Sequence, residues 1–269
     1  MPEGPEVKNI VNELSKFLKN KNLNSILIHS GRYSKKYPDN FLEFEKKLPL
    51  KILEVKCKGK FIWFQLENKW SIWNTLGMSG GWNLEKSKHS HIEFLVENQS
   101  IFFTDVRNFG TFKFCNDESK LNKKLKSLGP DILEKEFNLE IFMKILKKKS
   151  LLNKTIPEVF MNQSHISGIG NYLKSEILYK SKISPFRVIN SLSIYEIETL
   201  FTNIIKIANN SYKSGGATIR NYSNINSEEG TYTFQFKVYQ MKKDPLGNIV
   251  QKIQTKDKRT THWVPEIQI

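Results

Sequence analysis

Near the start of the chain, apolar residues recur at helical spacing. Val7, Ile10, Val11, Leu14, Phe17 and Leu18 fall on one face, which predicts an amphipathic helix. Gly4 and Pro5 stand where its first turn tolerates them, proline because the N–H it lacks would be unpaired there anyway. From about residue 23 to 115 the texture changes to short runs rich in β-branched and aromatic residues: Ile26–Ile28, Ile52–Cys57, Phe61–Leu66, Ser71–Leu76, Ile92–Val96, Ile101–Thr104 and Thr111–Phe114. Runs of that length between polar breaks predict a sandwich or barrel. A charged stretch, Asn116–Lys126, leads to Leu128-Gly129-Pro130-Asp131, which reads as a connection between domains. Beyond residue 139 the spacing turns helical again, over Leu139–Lys148, Glu158–Gln163, Tyr172–Lys180 and Ile194–Tyr212. Phe234–Ile269 returns to strand-like runs around Pro245-Leu246-Gly247-Asn248, which predicts a hairpin there. The outline is α+β: an all-β half with a flanking helix over residues 1–130, then a helical half over 131–269 that ends in a small β element from about 234.

Charge sharpens this picture. Lys and Arg outnumber Asp and Glu by 42 to 27, a formal charge of +15, and a field of that sign attracts polyanions such as nucleic acid or anionic lipid. No run of about 18 apolar residues exists, so no membrane span is expected. The charged N-terminus lacks an apolar signal core, which favours a soluble, intracellular protein. The two cysteines, Cys57 and Cys115, are too few for a disulfide framework or a cysteine metal site.

Candidate chemistry begins at the first residues, Met1-Pro2-Glu3-Gly4-Pro5-Glu6. Methionine before proline is readily removed, which would expose the secondary amine of Pro2. An α-amine titrates near 7.7–8, so a useful fraction is neutral and nucleophilic at about neutral pH. Amines attack electrophilic carbon to give Schiff bases, and a neighbouring carboxylate such as Glu3 can move the protons. Ser167-Gly168-Ile169-Gly170-Asn171-Tyr172 opens a predicted helix, with Asn171 suited to its N-cap. That arrangement binds phosphate, although an ordinary glycine-rich turn has the same pattern. Leu76-Gly77-Met78-Ser79-Gly80 and Arg107-Asn108-Phe109-Gly110 place a thioether, a cation and an aromatic ring in two loops. Alone each is unremarkable. Together they are what an enzyme needs to fill the gap left by an extruded nucleotide.

These residues together resemble the Fpg/Nei family of bifunctional DNA glycosylases, which excise oxidised bases and nick the strand. The similarity runs from the Pro-Glu-Gly-Pro-Glu start through Lys58-Gly59-Lys60, Leu76–Gly80, Asp105–Gly110, Leu128–Asp131, Asn162–Glu176 and Gly215–Tyr222 to Arg259–Trp263. The resemblance implies an N-terminal antiparallel β-sandwich with a flanking helix, followed by a helix–two-turns–helix domain with a β-hairpin finger. It implies Pro2 as nucleophile on the sugar, Glu3 as general acid/base, Lys60 as the active-site lysine and Glu6 as a carboxylate of the lesion pocket. Met78, Arg107 and Phe109 match its void-filling residues, while Asn171, Arg259 and, more weakly, Lys154 match its phosphate contacts. Thr218, Arg220 and Tyr222 fall in its lesion-capping loop. The implied partner is damaged DNA, duplex with single strand left open, acted on by a monomer through β- and δ-elimination with no cofactor.

Most members of the family close the finger with four cysteines around zinc, and none follows Cys115 here. The second pair of positions falls at about Val264 and Ile267, so a metal-free finger is expected. That feature and Gly4 resemble the zincless-finger Nei-like enzymes of vertebrates and giant viruses, whereas Gly215–Tyr222 resembles the Fpg loop that covers 8-oxoguanine. Lesion preference is therefore open. Asn74 stands where many members have histidine. A protein that keeps this scaffold to bind lesions or single strands without catalysis is the competing reading, and intact Pro2, Glu3 and Lys60 argue against it.

Overall fold

The computed structural model describes residues 2–217 and 231–269. Helix α1 spans Gly4–Leu18, and Val7, Ile10, Val11, Leu14 and Leu18 of the predicted face are buried. They pack on a sheet whose elements follow in chain order: β1 (Asn22–Ile28), two short helices α2 (Arg32–Lys35) and α3 (Phe41–Glu45), then β2 (Leu50–Lys58), β3 (Phe61–Leu66), β4 (Ser71–Thr75), β5 (Gly80–Asn83), β6 (Ser90–Val96), β7 (Gln99–Asp105) and β8 (Thr111–Cys115). The strand order is β5-β7-β6-β1-β2-β3-β4-β8, with antiparallel neighbours throughout. β1 and β2 meet at Asn22–Lys51 and Leu23–Leu50, and the sheet folds over at this seam into the two layers of a sandwich. Trp82 of one layer lies edge-on to Phe64 and Phe112 of the other, at 5.5 and 5.9 Å between ring centroids. Edge-to-face pairs of this kind contribute about 0.5–1.5 kcal/mol beyond the area they bury.

The charged stretch after β8 is not a plain connection. It forms helix α4 (Glu118–Ser127), capped by Asp117, whose side chain accepts from the N–H groups of Ser119 and Lys120. Leu121, Leu125 and Leu128 pack on Phe61, Trp63 and Trp73, covering part of the sandwich's outer face. Three leucines among lysines are too sparse a stripe to reveal a helix by periodicity alone.

Helices α5 (Leu139–Leu146), α6 (Ile156–Met161), α7 (Asn171–Lys180) and α8 (Ile194–Lys213) follow. α6 starts before the predicted Glu158 because Thr155 and Glu158 form a capping box. The second core gathers Phe142, Phe160, Ile166, Leu173, Ile177 and Ile204. α7 is buried along most of its length, Lys174 and Glu176 included. Glu176 accepts from the backbone N–H groups of Lys237, Val238 and Tyr239, at 3.0, 3.0 and 2.7 Å, which ties the base of the C-terminal element to this helix.

At its predicted place the hairpin is a minimal one, closed by the single antiparallel bridge Lys243–Ile249. Pro245–Asn248 is a tight turn organised by Asp244, which accepts from the N–H groups of Leu246 and Asn248. The paired strands lie further on, β9 (Gln251–Gln254) against β10 (Thr260–Trp263), joined by a turn that carries Arg259. Turn-forming residues mark both loops, but the first is flanked by one bridged pair and only the second by paired strands. No helix among the described residues is long and apolar enough to cross a membrane.

Candidate active site

Three segments converge around the Pro2-Glu3 step. The start of α1 is pinned by Gly4, whose N–H donates to the carbonyl of Gly168 at 2.8 Å. The Lys58-Gly59-Lys60 turn between β2 and β3 abuts the same loop: Gly59 has φ +57°, and a Cβ there would come 2.7 Å from Cβ of Ser167. A left-handed backbone and a close approach both require glycine at this point. The third segment is Ser167–Gly170 itself, where a Cβ on Gly170 would lie 2.2 Å from Cδ of Glu3.

Glu3 is buried, and its carboxylate sits on the first turn of α7. Oε1 accepts from the N–H of Tyr172 at 2.8 Å and Oε2 from that of Leu173 at 3.2 Å. The helix N-terminus thus receives its anion from another segment. Asn171, expected as the N-cap, is instead the first helical residue, and the cap position is Gly170. Burial pushes the Glu3 pKa up and nearby Glu6 adds to it, against the lowering pull of Lys60 and the two N–H donors, for a result of about 7. At neutral pH both protonation states are populated, as a group that both gives and takes protons requires.

Glu6 is the second buried carboxylate. It accepts from the N–H of Glu3 at 2.7 Å, the hydroxyl of Tyr172 at 2.8 Å and the N–H of Ala217 at 2.7 Å. The bonds from Tyr172 and Ala217 fasten α1 to the helical half. Facing the carboxylates is Lys60, half-buried. Its burial and the charge of Arg259 lower its pKa, outweighing the pull of Glu3 and Glu6. Arg259 itself is exposed. Asn171 donates its Nδ2 to the carbonyl of Thr260 at 2.8 Å, so it joins α7 to the residue after Arg259. The ammonium of Lys154 pairs with Glu158 at 3.1 Å.

The two loops read as void fillers are brought together by a residue to which no role was assigned. Asp105 is buried; one oxygen accepts from the hydroxyl of Ser79 at 2.5 Å and the N–H of Arg107 at 3.2 Å, the other from the N–H of Gly110 at 2.6 Å. Half-buried Met78 and exposed Arg107 and Phe109 are thereby held in adjoining turns, with the guanidinium of Arg107 stacked 5.0 Å from the Phe109 ring. Asp131 acts similarly, accepting from the N–H of Gly59 at 2.6 Å. An acid beside turn residues is the available signal in both cases, Asn108 and Gly110 after Asp105 and Gly129-Pro130 before Asp131. Asn74 is fully buried, accepting from the indole N–H of Trp82 at 3.1 Å and donating to the carbonyl of Thr111 at 3.1 Å, which gives it a structural task. Thr218, Arg220 and Tyr222 lie outside the described residues.

The finger does not fit zinc. Val264 is packed with Val238, Val250, Tyr179 and Ile267 in a small apolar cluster. Among the described residues no group of three or more His, Cys, Asp or Glu side chains could hold a metal ion.

Comparison with known proteins agrees along the whole chain. Residues 1–112 match the formamidopyrimidine-DNA glycosylase N-terminal domain, 128–223 its H2TH domain and 223–269 its C-terminal domain. The chain is 32% identical over 280 residues to the formamidopyrimidine-DNA glycosylase of Ligilactobacillus salivarius, covering 100% of this chain and 99% of that one. It is 33% identical over 279 residues to that of Listeria monocytogenes, covering 100% of both. Among solved structures, a Lactococcus lactis FPG mutant in complex with a Fapy-dG containing DNA superimposes with a TM-score of 0.87 at 28% identity, over 99% of each chain. MutM (FPG) of Thermus thermophilus does so with a TM-score of 0.86 at 25% identity, over 99% of this chain and 98% of that one. The three domain matches in order, with full-length relatives above 30% identity, place this chain in the formamidopyrimidine-DNA glycosylase family.

Proposed function

We propose that this protein is a base-excision-repair DNA glycosylase with AP lyase activity, acting on oxidised bases in DNA through a Schiff base at Pro2. One observation carries the assignment of roles: next to Pro2 stands a buried carboxylate, Glu3, held on a helix N-terminus with a pKa near 7. With Met1 removed, the neutral amine of Pro2 attacks C1′ of the extruded nucleotide. The glycosidic bond breaks, and the base leaves with a proton while Glu3 manages proton transfer at the sugar. Loss of the amine proton then lets the nitrogen lone pair break the C1′–O4′ bond; the sugar ring opens, O4′ takes a proton from Glu3, and the iminium left at C1′ acidifies C2′–H. Proton removal there expels the 3′ phosphate by β-elimination, and a second elimination expels the 5′ phosphate. The amine is released by water.

In this reading Lys60 and Arg259 supply the cationic rim for the flanking phosphates, with Asn171 and Lys154 as further contacts. Glu6 borders the lesion pocket. Met78, Arg107 and Phe109 occupy the gap in the duplex, and Thr218, Arg220 and Tyr222 belong to a loop over the extruded base. Residues 1–130 and 131–269 are the two domains flanking the DNA. The apolar closure of the finger is our support for likening it to the zincless finger of Nei-like enzymes. The test is strand cleavage of a duplex with one oxidised base: products phosphorylated at both ends of a one-nucleotide gap are expected. Tight binding without cleavage would instead indicate a lesion-binding protein on the same scaffold.

A further inference from the structure

The turn that carries Arg259 also carries an acid, and the structure keeps the two apart. Asp257 stands two residues before Arg259 and is the carboxylate best placed by sequence to neutralise it. Its Oδ2 is instead taken by the ammonium of Lys174 at 2.8 Å, with side-chain exposures of 3% and 0%. Its Oδ1 receives the hydroxyl of Thr255. Thr255 in turn donates its N–H to the carbonyl of Arg259 at 3.1 Å and shares a hydroxyl contact of 2.7 Å with Thr261. Among the described residues the Arg259 side chain has no hydrogen bond or ion pair, and it is exposed. Lys174 belongs to α7, the helix whose first turn holds the Glu3 carboxylate. One rigid element therefore sets the general acid at its start and, one residue beyond Leu173, grips the finger turn.

We propose that Lys174 is a positioning residue for Arg259: by sequestering the Asp257 carboxylate it fixes the β9–β10 turn on α7 and leaves the guanidinium free for a phosphate oxygen of the DNA. This rests on the reading of the protein as a DNA glycosylase. A fully buried lysine is costly without its partner, so the pair is an all-or-none device. With Lys174 in place the acid is silent; without it Asp257 is an anion released beside Arg259. The finger, which the Val264 cluster closes at its base, is held near its tip by this ion pair.

The experiment is a double-mutant cycle. Affinity for a duplex with a stable abasic-site analogue is measured across a salt series, with a melting curve, for wild type, Lys174→Met, Arg259→Ala and the double variant. Lys174→Met is expected to weaken binding at least about tenfold and to reduce the salt slope by about one counterion. In the Arg259→Ala background the same substitution should change affinity less than about twofold, because its effect runs through Arg259. The melting temperature should fall in both backgrounds, which separates stability from positioning. An equal loss of affinity in both backgrounds, or wild-type affinity of Lys174→Met, would overturn the proposal. Should Lys174→Met not fold, Lys174→Gln, which keeps a polar side chain of similar length and removes the charge that holds Asp257, is read in the same two backgrounds with the same criteria. Wild-type protein without preference for the abasic duplex would overturn the glycosylase reading and this one with it.

Discussion

The carboxylate of Glu3 accepts the backbone N–H of Tyr172 at 2.8 Å, so the residue beside Pro2 is clamped to a helix that begins 168 positions further along the chain (171 less 3). That bond is one of several that join the two halves of the molecule at the point where the chemistry is proposed. It also explains why Gly170 must lack a side chain, since a Cβ there would occupy the space of the Glu3 carboxyl group.

Glu3→Gln keeps the shape of the side chain and removes its proton chemistry. Base removal should fall by about 100- to 10,000-fold, with binding to a lesion duplex within about threefold of wild type. Comparable losses in both would show that Glu3 acts through structure.

The same residue makes stability depend on pH in a defined direction. Its folded pKa is raised to about 7 from an ordinary 4.5, so between these values the folded state retains a proton that the unfolded state has released. The group's contribution is most favourable below the lower value and is lost as pH rises through the upper one. Its upper limit is about 3 kcal/mol. Melting curves of wild type and Glu3→Gln should show the variant gaining on wild type from about pH 5 to about pH 8. A constant difference would contradict the raised pKa.

Phe109 is half exposed at its loop tip and backed by Arg107. Filling a void matters only where there is a stack to fill. Phe109→Ala should cut excision from duplex by about tenfold or more, as loss of a stacking ring does, while leaving excision from a single strand nearly unchanged. Equal losses on the two substrates would remove the wedge role.

Metal removal should do nothing. Chelators are expected to leave the melting temperature and activity unchanged, unlike proteins in which zinc supplies folding energy. Val264→Ala, by contrast, should cost about 2 kcal/mol, because Val264 is fully buried in the finger's apolar cluster. Stoichiometric zinc in the purified protein would contradict this account.

Much of this arrangement was legible in the residues. The spacing of Val7 through Leu18 marks a buried helix face, the short β-branched runs mark the sandwich, and Glu3 and Lys60 stand out by their place in short motifs. Other features depend on partners distant in sequence. α4 is stabilised by Phe61, Trp63 and Trp73 on a sheet it meets only after folding. Asn171 has the composition of a cap, yet Glu3 occupies that role from the other half of the chain. Lys174 and Asp257 read as solvated charges until the fold brings them to 2.8 Å. Asp105 is legible only once two loops need a shared acceptor.

The central claim is a covalent bond between Pro2 and the sugar of the damaged nucleotide. Borohydride reduction during reaction with a lesion-containing duplex tests it most directly, since it converts an iminium into a stable amine, and peptide mass spectrometry then locates the linked residue. The account predicts a cross-linked species attached at the N-terminal Pro2, absent when Met1 is retained. Cleavage without trapping, or a cross-link at Lys60 with Pro2 unmodified, would contradict it.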